Sequence, residues 1–156
     1  TKILMIKINV IVKDKTWLKF IKNPENYLKK KIKIIQGDNF FKKRKYRLSV
    51  LLSGTKEIKY LNKKFRKKNK STDILSFPSQ NKKDLKILSK SNLEIYLGDI
   101  IINSKKMNTS SKKLFKKHLD VLWIHGLIHL FGYDHKKDNN YKKMNAIENK
   151  LLKKLN

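Results

Sequence analysis

The sequence predicts an α+β fold, a single domain over residues 1–156 with a four-stranded mixed β-sheet packed against helices. Three observations point there. Two short runs alternate apolar and polar residues, the period of a strand with one buried face, and two more read as a short strand and a strand apolar on both faces. Between them lie longer runs with apolar residues three and four apart, the period of a helix. No internal repeat or second domain is evident, and 156 residues suffice for one core.

Taken in order, Ile6, Ile8, Val10 and Val12 alternate with Lys7, Asn9 and Lys13 and make the first strand. Trp17, Ile21, Leu28, Ile32 and Ile35 recur at helical spacing. Asn23-Pro24 divides them into two helices, because Pro is tolerated in a first turn, and Gly37-Asp38-Asn39 closes the second. The aromatics Trp17, Tyr27, Phe40 and Phe41 read as core rather than as platforms for stacking RNA bases. Tyr46, Leu48, Val50 and Leu52 form the second strand, flanked by Arg44 and Arg47 as surface charge.

Ser53-Gly54-Thr55 then punctuates, with Thr55 as the expected N-cap. The helix at 56–67 carries Ile58, Leu61, Asn62 and Phe65 on one side and Arg66 at its end. Residues 71–77 form a turn and a short strand, with Pro78 at its end. The polar, Lys- and Ser-rich run 80–92 reads as a flexible insertion. Ile95, Leu97, Asp99 and Ile101, with Ile100 and Ile102 between them, make a strand largely apolar on both faces and therefore central. Gly98 within it signals a close backbone approach. After a short polar turn at 104–109, Ser110-Ser111 caps a helix at 111–131 that becomes apolar all round beyond Asp120, and so is buried. Tyr141, Met144, Ile147, Leu151 and Leu155 mark a final helix that packs back on the domain.

The chemistry concentrates in one stretch, His125-Gly126-Leu127-Ile128-His129-Leu130-Phe131-Gly132-Tyr133-Asp134-His135. Residues four apart on a helix lie about 40° from eclipsed and one turn on, so His125 and His129 can aim at one point. Gly132 accepts the left-handed conformation that ends a helix and lets the chain bring His135 back. Three imidazoles around one ion, with a position left open, describe a catalytic zinc site. The spacing equals that of the protease motif H-E-x-x-H-x-x-G-x-x-H, but Gly126 stands where the protease keeps its general base. His118, about 10 Å further along the axis, cannot reach the same ion and reads as a surface residue.

There is no cysteine, which excludes disulfides and thiolate ligands and suits the cytoplasm. The formal charge of +28 calls for a polyanionic partner such as nucleic acid. Lys, Asn and Ile share A/T-rich codons, so genomic bias supplies much of the amount. Only three arginines stand among the forty basic residues, so each has resisted the drift toward lysine. No segment reaches the roughly 18 apolar residues of a membrane span. The lysine-interrupted start at 1–12 lacks a signal-peptide cleavage site, and the missing initiator Met points to processing or trimming.

The histidine string resembles the signature of the YbeY family, H-G-x-L-H-L-x-G-Y-D-H, with Ile128 in place of one Leu. Arg66 followed by Thr72-Asp73-Ile74-Leu75-Ser76-Phe77-Pro78 resembles that family's R…T-D-V-L-S-F-P, and Leu97-Gly98-Asp99-Ile100 its L-G-D-I. The resemblance implies a zincin-like metal helix and one Zn²⁺ per chain on His125, His129 and His135. It implies a cytoplasmic endoribonuclease that hydrolyses single-stranded RNA, chiefly in maturing the 16S ribosomal RNA 3′ end and in ribosome quality control. Its partners would be ribosomal RNA and the small subunit, with ribosomal-protein or GTPase partners as in the family. Arg66 and His125 would be catalytic, Arg66 by holding a phosphate in its planar fork. Zinc would bring the pKa of its water to about 7. Asp134 is placed to orient a histidine or to cap the turn. The motif lacks a general base, and Asp73, Asp99 or the substrate's own 2′-hydroxyl chemistry would stand in for it, although Asp73 reads first as a turn cap. Two other classes remain, a zinc peptidase lacking its base and a non-catalytic basic RNA-binding module.

Overall fold

The computed structural model describes residues 5–134 and 138–156. The expected strands form β1 (Ile6–Val12), β2 (Tyr46–Ser53), β3 (Ile74–Pro78) and β4 (Ile95–Asn103), in the order β1-β2-β4-β3. β1, β2 and β4 run parallel, and β3 joins β4 antiparallel at the edge. This is the mixed four-stranded sheet that the periodicity predicts, with β4 inside it.

Helices cover the two faces unequally. α1 (Thr16–Phe20), α2 (Pro24–Ile35), α5 (Lys112–Leu130) and α6 (Asp138–Leu155) share one core with Ile6, Leu48, Leu97 and Ile100. α3 (Thr55–Arg66) alone covers part of the other face, where Ile58 meets Leu75 and Ile101. Gly98 lies at φ +134, and any Cβ there would run into the Phe77 carbonyl of β3. Only glycine fits this crossing, next to where the β2–β4 register shifts.

Three expectations need correction. The N-cap of α3 is Gly54, not Thr55, whose hydroxyl instead meets the Asn103 side chain at 3.3 Å. The run 80–92 contains a short helix, α4 (Lys82–Leu88), capped by the Asn81 carboxamide accepting the Asp84 N–H at 2.7 Å. Its buried Leu85 joins the core, and one cap with one apolar anchor suffices where the composition suggests only a loop. Arg44 is more than surface charge, since it donates to the Ser91 carbonyl at 2.6 Å, while Arg47 stays exposed and pairs with Glu94 at 3.3 Å.

α6 is anchored by more than Met144 and Leu151. The buried Asp38 carboxylate receives Lys150 at 3.0 Å and Lys154 at 2.9 Å, and accepts the Phe40 N–H at 2.9 Å. Burial alone would raise its pKa. The Phe40 N–H and the two ammonium groups outweigh burial and hold it at about 2, below the usual 3.8. A carboxyl lowered on folding stabilises the fold above its unfolded pKa and loses that contribution as pH falls toward its folded value. Between pH 3.8 and about 2, the native chain should lose on the order of 2 kcal/mol more than Asp38→Asn. Calorimetry across that window checks it, and parallel losses would refute the role of Asp38.

Candidate metal centre and its cleft

α5 begins where the Ser111 hydroxyl accepts the Leu114 N–H. It then buries Phe115, Leu119, Trp123, Leu127 and Leu130. His125 and His129 are half-buried on the one stripe that faces a cleft. Gly126 faces the sheet beside the cleft. A Cβ on it would sit 3.0 Å from Ile100 Cγ2 and Ile74 Cδ1 and 3.1 Å from Ser76 Oγ, and that hydroxyl donates to the Gly126 carbonyl at 3.3 Å. The helix lies this close to β3 and β4 because the residue after the first histidine has no side chain. Past Leu130, Gly132 takes φ +91 and turns the chain back.

The turn supplies a ligand-orienting contact. His129 Nδ1 lies 2.7 Å from the Tyr133 carbonyl, which can only accept, so Nδ1 carries the proton and Nε2 a lone pair. His125 Nδ1 lies 2.6 Å from Glu148 Oε1 on α6, and the carboxylate imposes the same tautomer. The two Nε2 atoms then face each other at 3.1 Å, lone pair toward lone pair. A metal ion, or a proton shared as an N–H···N hydrogen bond, suits that arrangement. Two nitrogens at about 2.0–2.1 Å from a tetrahedral zinc stand roughly 3.3 Å apart, so the donor set fits the ion. Among the described residues, no three His, Cys, Asp or Glu side chains gather as a metal-binding group. His135, the third expected ligand, lies outside the described residues.

The cleft holds about 630 Å³ and is walled by His125 and His129, by Ile74 and Ser76 of β3, and by Tyr133 and Asp134. Arg66 also lines it, although α3 packs on the opposite face of the sheet. α3 stops at Arg66 because Lys67 turns to φ 61, and Asn62 fastens the departing loop by donating to the Lys70 carbonyl at 2.9 Å. The guanidinium is thereby brought to the sheet edge, where the strand between the two layers is β3.

Of the remaining candidates, only Asp134 borders the cleft. Asp99 accepts the Tyr96 hydroxyl at 2.6 Å and borders an apolar recess on the α3 face. Asp73 accepts from Thr72 at 3.3 Å and does not line the cleft. His118 is partly exposed, as a surface residue would be, and accepts the Asn108 N–H at 2.9 Å. Asp134 is exposed at the cleft wall, and the carboxylate held to His125 is Glu148. Sequence reasoning missed Glu148: it lies on the α6 face of the buried Met144 and Leu151, four residues after one and three before the other, yet nothing local marks it.

The chain matches the family described as "Endoribonuclease YbeY" over residues 10–156. It is 41% identical over 152 residues to a Pelagibacter ubique protein named endoribonuclease YbeY, covering 96% of this chain and 95% of that one. It is 36% identical to the Ehrlichia canis protein of the same name, covering 97% and 93%. Among solved structures, the solution structure of a Thermotoga maritima protein superposes with a TM-score of 0.55 at 26% identity, over 94% of this chain and 87% of that one.

Proposed function

The chain belongs to the YbeY endoribonuclease family, and we propose that it is a zinc-dependent enzyme that cuts single-stranded ribosomal RNA during maturation of the 16S 3′ end. One observation carries this reading: two imidazoles with their lone pairs converging at 3.1 Å share one cleft with an arginine. Zinc held there would supply a Lewis acid and a nucleophile at neutral pH. The protein's own groups do the rest. Glu148 and the Tyr133 carbonyl fix the rings, and Arg66 grips a phosphate through two hydrogen bonds and offsets the charge that develops on it. Neither Asp73 nor Asp99 lines the cleft, and Asp99 borders the recess on the α3 face instead. The large positive charge gathers RNA in a salt-dependent way. We place the protein in the cytoplasm with the small ribosomal subunit. No helix among the described residues is long and apolar enough to cross a membrane.

The test is cleavage of a labelled single-stranded fragment from the 16S 3′ end by zinc-loaded and chelated protein, with casein assayed in parallel. Chelation should stop RNA cutting. Arg66→Lys keeps the charge but not the fork, and should lower kcat on the order of tenfold. Unchanged cutting in Arg66→Lys would remove the arginine from the mechanism. Casein digestion would establish the peptidase instead, and RNA binding without cutting would leave the basic binding module.

A further inference from the structure

Beside the metal cleft, and sharing Tyr133 with it, lies a second cavity of about 290 Å³. Phe40, Phe131 and Tyr133 form its aromatic wall, and the exposed Lys42, Lys82 and Lys86 surround its mouth. The Phe40 and Tyr133 rings stand 5.9 Å apart at 51°, and the Phe131 ring lies 4.9 Å from Phe40. The Lys82 ammonium sits 4.5 Å from the centre of the Tyr133 ring. Phe40 is held half-buried by its backbone: Asp38 caps the one-turn helix Asn39–Phe41 at the Phe40 N–H, and Lys42 ends it at φ 51. The ring therefore stands at the rim of the core, although its sequence context reads as interior.

A wall of flat rings ringed by ammonium groups matches the two halves of a nucleotide. Bases stack on aromatic faces whatever their identity, and lysines neutralise phosphate. We propose that this cavity receives the base of the nucleotide next to the scissile phosphate, with Lys42 and Lys86 on its flanking phosphate. The inference rests on the nuclease reading for which phosphate lies at the histidines. It also gives single-strand preference a cause, because a base paired and stacked in a duplex cannot reach an aromatic recess without being pulled from its helix.

The test uses zinc-loaded protein and short single-stranded RNAs carrying one abasic nucleotide at successive positions. Phe40→Leu retains apolar volume and loses the aromatic face. Lys86→Glu, at an exposed site, is the second variant should Phe40→Leu fold poorly. On intact RNA, each variant should raise KM about tenfold with kcat nearly unchanged. The native protein should lose the same factor when one position beside the cut is abasic, and Phe40→Leu should be indifferent to that change. An unchanged KM, or an equal penalty from abasic sites at every position, would overturn the pocket and leave the nuclease intact. If native protein cuts no RNA with any divalent ion, the nuclease reading fails by itself. Fluorescence anisotropy of the same RNAs then decides the pocket. Tenfold weaker binding confined to intact RNA supports it, and equal binding of intact and abasic strands, as a protein-binding surface would give, refutes it.

Discussion

Gly126→Glu, the substitution that would complete the protease motif, should unfold the chain rather than make a peptidase. The side chain would have to occupy space already held by Ile74, Ser76 and Ile100, all within 3.1 Å of its first carbon. Overpacking of this kind costs about 1–3 kcal/mol, and an unpaired carboxylate forced between helix and sheet costs several more. Their sum is comparable to the roughly 5–15 kcal/mol that holds a domain together. Gly126→Ala is the control. The three neighbours are side-chain ends that can give by a few tenths of an ångström, and a helical Ala regains about 0.5–1 kcal/mol over Gly. Calorimetry should place the alanine variant within about 1 kcal/mol of native. A cooperative melt for Gly126→Glu near the native temperature would show that α5 does not press on the sheet as described.

The second large effect is expected at the ligand pair. His129→Ala removes one of two described donors and should abolish both tight zinc binding and RNA cleavage. Glu148→Ala leaves both donors but frees the His125 ring to rotate and to change tautomer. The loss of such an orienting partner typically costs 10–100-fold in metal affinity. Competition against a chromophoric chelator should read about that factor, with Glu148→Gln recovering most of it through its amide oxygen. If Glu148→Ala binds zinc as tightly as the native chain while melting normally without metal, Glu148 is only a packing residue.

The pattern of what could be read in advance follows the range of the forces involved. His125 and His129 are legible because a helix repeats every 3.6 residues, so their convergence is a local fact. The four strands are legible for the same reason. Glu148 is not, because its partner is 23 residues away on another helix, and a Glu on an amphipathic helix is ordinary surface by every local measure. Gly126 could be read negatively, as an absent base. Its positive reason, the contact with β3 and β4, needs the sheet. α4 escaped notice because a seven-residue helix with one buried leucine leaves almost no period to detect. Arg66 stood out by rarity among lysines, but its passage from one layer of the fold to a cleft on the other depends on Lys67 at φ 61 and on the Asn62 tether.

The two imidazoles are braced by different kinds of material. His125 leans on a side chain, whereas His129 leans on the main-chain oxygen of Tyr133. Any amino acid at position 133 brings the same oxygen. A saturation mutagenesis screen would therefore register the first brace at Glu148 and pass over the second, and a map of essential positions drawn from such a screen would undercount what holds this centre in place.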